Sequence, residues 1–219
     1  MLAIILLALL FEFTDLHLAA IGRLLLGTNP QAFVGPMLAD TAAVPFGDVH
    51  ELERKLATRS FAAFVLEPIQ AEGGVILPPD DYLQNAQRLC RRYGTLFVLD
   101  EVQTGLYRTG HFLAAHHFGV DPDMVVLAKA LSGGLVPSGA VLMSDPVYAS
   151  VYSSLKRAIV HTSTYGENSL AMRAGVATLD VFEEEQPGER ATTAAAIRPS
   201  LSRRKTRRNA RIFEASRDG

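Results

Sequence analysis

The sequence predicts an α/β fold with a largely parallel sheet, and three observations carry that prediction. Short apolar runs rich in β-branched and aromatic residues alternate with longer amphipathic stretches. Two of the runs, Thr95-Leu96-Phe97-Val98-Leu99 and Met124-Val125-Val126-Leu127-Ala128, stop at a charged residue, Asp100 and Lys129 respectively. The 29 positions from Asp100 to Lys129 suit a strand, a loop-rich crossover and a second, parallel strand. A strand interior would accept neither charge, and in open α/β sheets ligands sit beyond the carboxyl ends of the strands. An acid and an amine delivered there are candidates for chemistry, with a structural ion pair as the alternative reading.

The elements follow in order. Val34 to Val44, with its Gly, Pro and small residues, reads as a loop. Asp48-Val49-His50-Glu51-Leu52-Glu53 opens a helix to about Thr58, its acids well placed in the first turn. Phe61 to Leu66 is a strand. Pro78-Pro79-Asp80 starts an amphipathic helix through Tyr93, and Gly94 stops it. After the strand to Asp100 comes a Gly- and Thr-rich loop, Gln103 to Gly110, then a short helix over Leu113 to Phe118. Asp121-Pro122-Asp123 precedes the strand to Lys129. Gly139 to Met143 is a further strand, Pro146 to Leu155 a helix and Asn168 to Glu185 a long helix. No internal repeat is visible.

At 219 residues and 48% hydrophobic, the chain is long enough for one sizeable core or for one large domain cut short. The net charge of −2 conceals a split: Arg190 to Gly219 carries nine Lys/Arg against two Asp/Glu, leaving twelve against twenty-one before it. The basic run Arg203-Arg204-Lys205-Thr206-Arg207-Arg208 lacks an apolar stripe and reads as a solvated, disordered end rather than a nucleic-acid surface. Met1 to Phe13 is nearly all apolar, too short for a typical transmembrane helix and without the basic start of a signal peptide. It is expected to be a core segment, or the product of a start codon inside a longer gene, and no membrane role is expected. Cys90, the single cysteine, rules out an intrachain disulfide and fits a reducing, cytoplasmic setting as a small buried hydrophobe. The histidines show no metal-ligand spacing. The chain therefore divides into an unmatched apolar segment (1–16), a partial cofactor-binding domain (17–186) and a basic tail (187–219) expected to be disordered.

An Asp and a Lys at neighbouring strand ends suit pyridoxal 5′-phosphate, whose aldehyde needs an amine and whose ring nitrogen needs a carboxylate. A carboxylate about 4 Å from a pyridinium is worth roughly 4 kcal/mol at an effective dielectric near 20. That is about 3 pKa units, enough to keep the ring protonated.

The surrounding words are more specific. Leu99-Asp100-Glu101-Val102-Gln103-Thr104-Gly105, Arg108-Thr109-Gly110 and Lys129-Ala130-Leu131-Ser132-Gly133-Gly134 resemble the class III aminotransferases, the family of ornithine, acetylornithine and putrescine aminotransferases. Glu67-Pro68-Ile69-Gln70-Ala71-Glu72-Gly73-Gly74 is similar to that family's acidic loop, and His161-Thr162-Ser163-Thr164-Tyr165-Gly166-Glu167-Asn168 to its phosphate-contacting segment. The resemblance is strong over about residues 60 to 185. It implies an incomplete fold-type-I large domain, with a mainly parallel, seven-stranded-type sheet between helices.

By that resemblance Lys129 is the Schiff-base lysine, whose freed amine moves the proton, and Asp100 binds the pyridine nitrogen. Gln103 binds the phenolic oxygen, and Val102 packs on the ring face. Thr164 reaches the phosphate of a partner subunit, so that a homodimer shares its active sites. Glu67 and Glu72 line the substrate side, although Glu72 also reads as a solvated loop acid. The implied activity is transfer of an amino group between an amine or amino acid and a 2-oxo acid. Alternatives are an aminomutase of the glutamate-1-semialdehyde type and an inactive truncated remnant.

Departures from the family pattern are specific. Leu18 follows His17 where the family has Gly, and Glu167 and Ser169 replace a Gly and a Pro beside the phosphate segment. A Gly/Ser-rich phosphate turn and a small domain with a substrate-carboxylate arginine are not matched, so weak cofactor binding and poor transamination are expected of the chain alone.

Overall fold

A computed structural model of the chain describes residues 41–157 and 163–197. The expectations on Met1–Phe13, His17, the loop from Val34 as far as Asp40, His161, Thr162 and the basic run after 197 lie outside the described residues.

Helix α1 (Val49–Leu56) begins where Asp48 Oδ1 accepts from the Glu51 N–H at 2.9 Å, satisfying one of the donors a helix start leaves open. It buries Leu52 and Leu56. Strand β1 (Ala63–Leu66) leads through an exposed acidic loop to helix α2 (Tyr82–Tyr93). Apolar residues at helical spacing put Tyr82, Leu83, Ala86, Leu89 and Cys90 on one buried face. The helix stops at Gly94, whose φ of 74° a residue with a Cβ would adopt at a cost. Strand β2 (Leu96–Asp100), a loop, the short helix α3 (Ala115–Phe118) and strand β3 (Met124–Leu127) follow. After a 3-10 turn over Lys129–Ser132 come strand β4 (Ala140–Met143), helix α4 (Asp145–Val151), helix α5 (Ser169–Glu185) and helix α6 (Pro187–Ile197).

Among the described residues the sheet has four strands in the order β1-β2-β3-β4, against the seven-stranded type expected. β1–β2 and β2–β3 are parallel and β3–β4 is antiparallel, so the mainly parallel α/β architecture stands. Period-two alternation along β2 sends Phe97 and Leu99 into one core with Leu52, Leu56, Tyr82, Leu83 and Ala86 of the two helices. Val98 goes to the opposite face with Met124 and Val147. Burying each such side chain stabilises the fold by about 1.5–3 kcal/mol, so the strand carrying Asp100 is anchored on both faces.

Three expectations need adjustment. The strand toward Lys129 ends at Leu127, because Ala128 leaves the strand conformation and Lys129 turns to φ 49°. The helix expected through Leu155 stops at Val151, and the Ser153-Ser154 pair that follows is a poor helix former. The tail expected to be disordered from residue 187 begins as helix α6: Pro187 occupies its first position, where the missing N–H costs nothing, and the Ala-rich stretch after it has high helix propensity. Helix α5 buries Ala171 and leaves Leu170, Met172, Val176, Leu179 and Val181 exposed.

Candidate active site

Parallel register delivers the charges. β1 and β2, neighbouring strands about 4.8 Å apart, pair up to Leu66↔Leu99, so Glu67 and Asp100 follow side by side at the carboxyl edge. Asp100 is level with Val126 of β3, and Lys129 follows three residues later. Lys129 opens the 3-10 turn with its backbone in the left-handed region, held there by Leu131 N–H donating to the Ala128 carbonyl and Gly133 N–H to that of Ala130. A residue with a Cβ adopts that conformation at a cost of order 1–3 kcal/mol, and such strain gathers at functional sites. The Lys129 side chain is exposed, as a reacting amine must be to meet a ligand.

Electrostatics tie these residues into one group. Burial pushes the Asp100 carboxyl above its ordinary range; the Val102 N–H, donating to Asp100 Oδ1 at 3.0 Å, and the Lys129 charge pull it back, while Glu101 pushes it further up. Burial also raises the Glu67 carboxyl. The Ala71 N–H, donating to Glu67 Oε2 at 3.2 Å, opposes this, the negative charges of Asp100 and Glu72 add to it, and Lys129 opposes it. Partly buried carboxylates pressed toward neutrality beside one amine would gain from a cationic ligand, which restores their ionised form.

Six of the seven candidate residues meet. Gln103 Nε2 donates to Glu72 Oε1 at 2.5 Å, joining the acidic loop after β1 to the loop after β2. Val102 is buried beside Asp100. Thr164 lies in an exposed turn before α5 and takes part in neither the hydrogen bonds nor the charge interactions that tie the other residues together. Glu101 went unassigned from the sequence, yet it is 1% exposed and both its oxygens accept hydrogen bonds. Its partners lie up to 14 residues away, and no local pattern announces them. Among the described residues, no group of three or more His, Cys, Asp or Glu is placed to hold a metal ion, and no helix is long and apolar enough to cross a membrane.

A family model described as Aminotransferase class-III matches residues 27–212, most of the chain. The chain belongs to the class-III aminotransferases. The mitochondrial ornithine aminotransferase of Rattus norvegicus is 44% identical over 172 residues, covering 78% of this chain and 38% of that protein. The ornithine aminotransferase of Toxoplasma gondii superposes with a TM-score of 0.73 at 39% identity, covering 80% of this chain and 40% of that one. A second structure of that Toxoplasma protein is described as having partial occupancy of pyridoxal phosphate at its active site. The acetylornithine aminotransferase of Elizabethkingia anophelis superposes with a TM-score of 0.68 at 38% identity, covering 75% and 42%. The chain spans between 31% and 38% of the length of the curated relatives it matches.

Against the class-III pattern, the two departures beside Thr164 have local structural readings. Glu167, standing for a Gly, sits at φ 55°, in the region that glycine adopts freely. Ser169, standing for a Pro, is the first residue of α5, the helix position that best tolerates proline, after Asn168 has capped the helix by accepting from the Ala171 N–H at 2.9 Å.

Proposed function

We propose that this class-III aminotransferase chain holds pyridoxal 5′-phosphate between Asp100 and Lys129 and serves transamination of an amine or amino acid with a 2-oxo acid. The observation that carries the reading is that Asp100 ends one strand and Lys129 follows two residues after the end of its parallel neighbour, close enough for the Lys129 charge to act on Asp100. The donor set fits the cofactor: a carboxylate for a cationic ring nitrogen, an accessible amine for an aldehyde, and an amide for a phenolic oxygen. Once bound, the cofactor supplies the electron sink that stabilises the carbanion left when the substrate loses its Cα proton.

The chain's residues do the rest. Partial burial strengthens the attraction of the Asp100 carboxylate for the ring nitrogen beyond its value in water. Lys129 would hold the cofactor through its aldehyde, and its amine, when free, would be the base placed to take the substrate's Cα proton and hand it back. Gln103 keeps its second amide hydrogen to donate to the phenolic oxygen, while Glu72 fixes its orientation. Val102, buried beside Asp100, packs on the ring face. Glu67 and Glu72 face the substrate. Thr164 donates to the phosphate in a partner subunit, which makes the site that of a homodimer. The exposed apolar side chains of α5 support a covered face in the assembled protein. The domain is of fold type I, spans residues 17–186 and works in a reducing compartment such as the cytoplasm, consistent with the single buried Cys90.

The relatives named above are aminotransferases, which favours transfer over an aminomutase. Transfer is tested by incubating the chain with pyridoxal phosphate, a nitrogen-15-labelled donor (ornithine, acetylornithine or putrescine) and 2-oxoglutarate. The proposal expects label in the acceptor's amino group, lost with Lys129→Ala. Label retained on the donor's own skeleton at a new position would contradict it.

A further inference from the structure

We propose that Glu101 is the positioning residue of this site: its buried carboxylate clamps the turn between Asp100 and Gln103 to the start of helix α3. The inference rests on the proposed cofactor site and assigns a role to a residue that makes none of the proposed ligand contacts. Among the described residues Glu101 is the one buried carboxylate, and it has no cationic partner within salt-bridge distance. An ionised carboxylate persists in such a place when its lone pairs are satisfied. Here Oε1 accepts from the Ala115 N–H at 2.8 Å. Oε2 accepts from the Ala114 N–H at 2.9 Å and from Thr104 Oγ1 at 2.6 Å. These are charge-assisted bonds, stronger than neutral ones.

The backbone of Glu101 is equally engaged. Its N–H donates to the Val126 carbonyl of β3, and its own carbonyl accepts from the Gly105 N–H, both at 2.9 Å. A Cβ at Gly105 would lie 2.9 Å from that carbonyl oxygen and 2.9 Å from Leu127 Cδ2, so the turn is closed onto the strand that leads to Lys129. One residue thus joins the end of β2, the end of β3, the turn bearing Val102 and Gln103, and the loop 13 residues on. Asp100 precedes it and Gln103 follows two residues later, so their mutual angle depends on its being held. A site needs such support, because a displacement of about 1 Å can cost on the order of 100-fold.

The test uses the full chain with pyridoxal phosphate, measuring affinity by equilibrium dialysis and the pH midpoint of the bound cofactor's visible absorption band. Glu101→Gln keeps the volume but sets an NH2 against at least one of the three donors, and Thr104→Val removes one donor and leaves the carboxylate. Leu83→Ala, in the helix core, is the control for stability alone. The proposal expects about 10- to 100-fold weaker binding and a shifted midpoint in Glu101→Gln. Thr104→Val moves in the same direction by less, and Leu83→Ala binds within about twofold of the unsubstituted chain despite its lower urea midpoint. If Glu101→Gln does not fold, Thr104→Val decides. Unchanged affinity and midpoint in the folded variants, or losses that track the urea midpoint as in Leu83→Ala, overturn the proposal alone. Failure of the unsubstituted chain to form a borohydride-stable adduct overturns the cofactor site and this proposal with it.

Discussion

Replacing Asp100 with Asn should separate what the folded chain tolerates from what its ligand requires. The side chain keeps its shape and its oxygen for the Val102 N–H, but loses the charge. Burial holds the Asp100 carboxyl above its ordinary value of 3.8 in the folded chain. Below 3.8 both folded and unfolded chains carry the proton and the group costs nothing. As pH rises from there through the folded value, the unfolded state ionises first and stability is lost; above both values the loss is constant. Asp100→Asn escapes that loss, so without cofactor it should be more stable than the unsubstituted chain at pH 7. For a chain of this size each kcal/mol gained raises Tm by about 2–4 °C, so the gain reads as a higher Tm. The advantage should shrink toward zero near pH 3.5. Cofactor affinity should move the other way: losing a carboxylate–pyridinium contact of about 4 kcal/mol weakens binding by up to about a thousandfold. Thermal melts across pH, paired with equilibrium dialysis against pyridoxal phosphate, read both effects. A variant that is less stable at pH 7, or one that binds the cofactor as well as the unsubstituted chain, would refute the reasoning.

Two further outcomes bear on particular residues. Glu167→Gly should stabilise the chain by about 1 kcal/mol, because relief of the left-handed backbone outweighs the extra entropy that glycine loses on folding; an unchanged or lower urea midpoint would count against that strain. Burial pushes the Cys90 thiol up to about 12, so at pH 8 its thiolate fraction is about a thousandfold below that of a free thiol. Iodoacetamide should therefore label it slowly in the native chain and rapidly in urea, and rapid native labelling would show that the core under α2 is open.

Much of the fold was legible because its signals are local. The runs ending at Asp100 and Lys129 declared two strands, and Gly94 and Asp48 marked helix ends through their own backbone and side-chain chemistry. The antiparallel turn of β4 was less visible, although the connection from Leu127 to Ala140 is short for a crossover that must return parallel. Helix α6 was hidden by the basic character of the tail as a whole, when alanine in the absence of a competing signal favours helix. In the proposed site, Asp100, Lys129 and Gln103 stand in words of sequence that a resemblance can pick out. Glu101 was not, because its importance lies in hydrogen bonds to backbone 13 and 14 residues away. The Gln103–Glu72 bond spans 31 residues and depends on β1 and β2 lying side by side, which only the folded register decides.

The most direct measurement is covalent. The chain is incubated with pyridoxal phosphate, reduced with borohydride, digested and mapped by mass spectrometry. A pyridoxyl mass on Lys129, greatly diminished in Asp100→Asn at the same cofactor concentration, is the predicted result. Label absent from Lys129, or spread over the half-buried Lys55 and the exposed Lys156 with no preference for Lys129, would contradict the assignment.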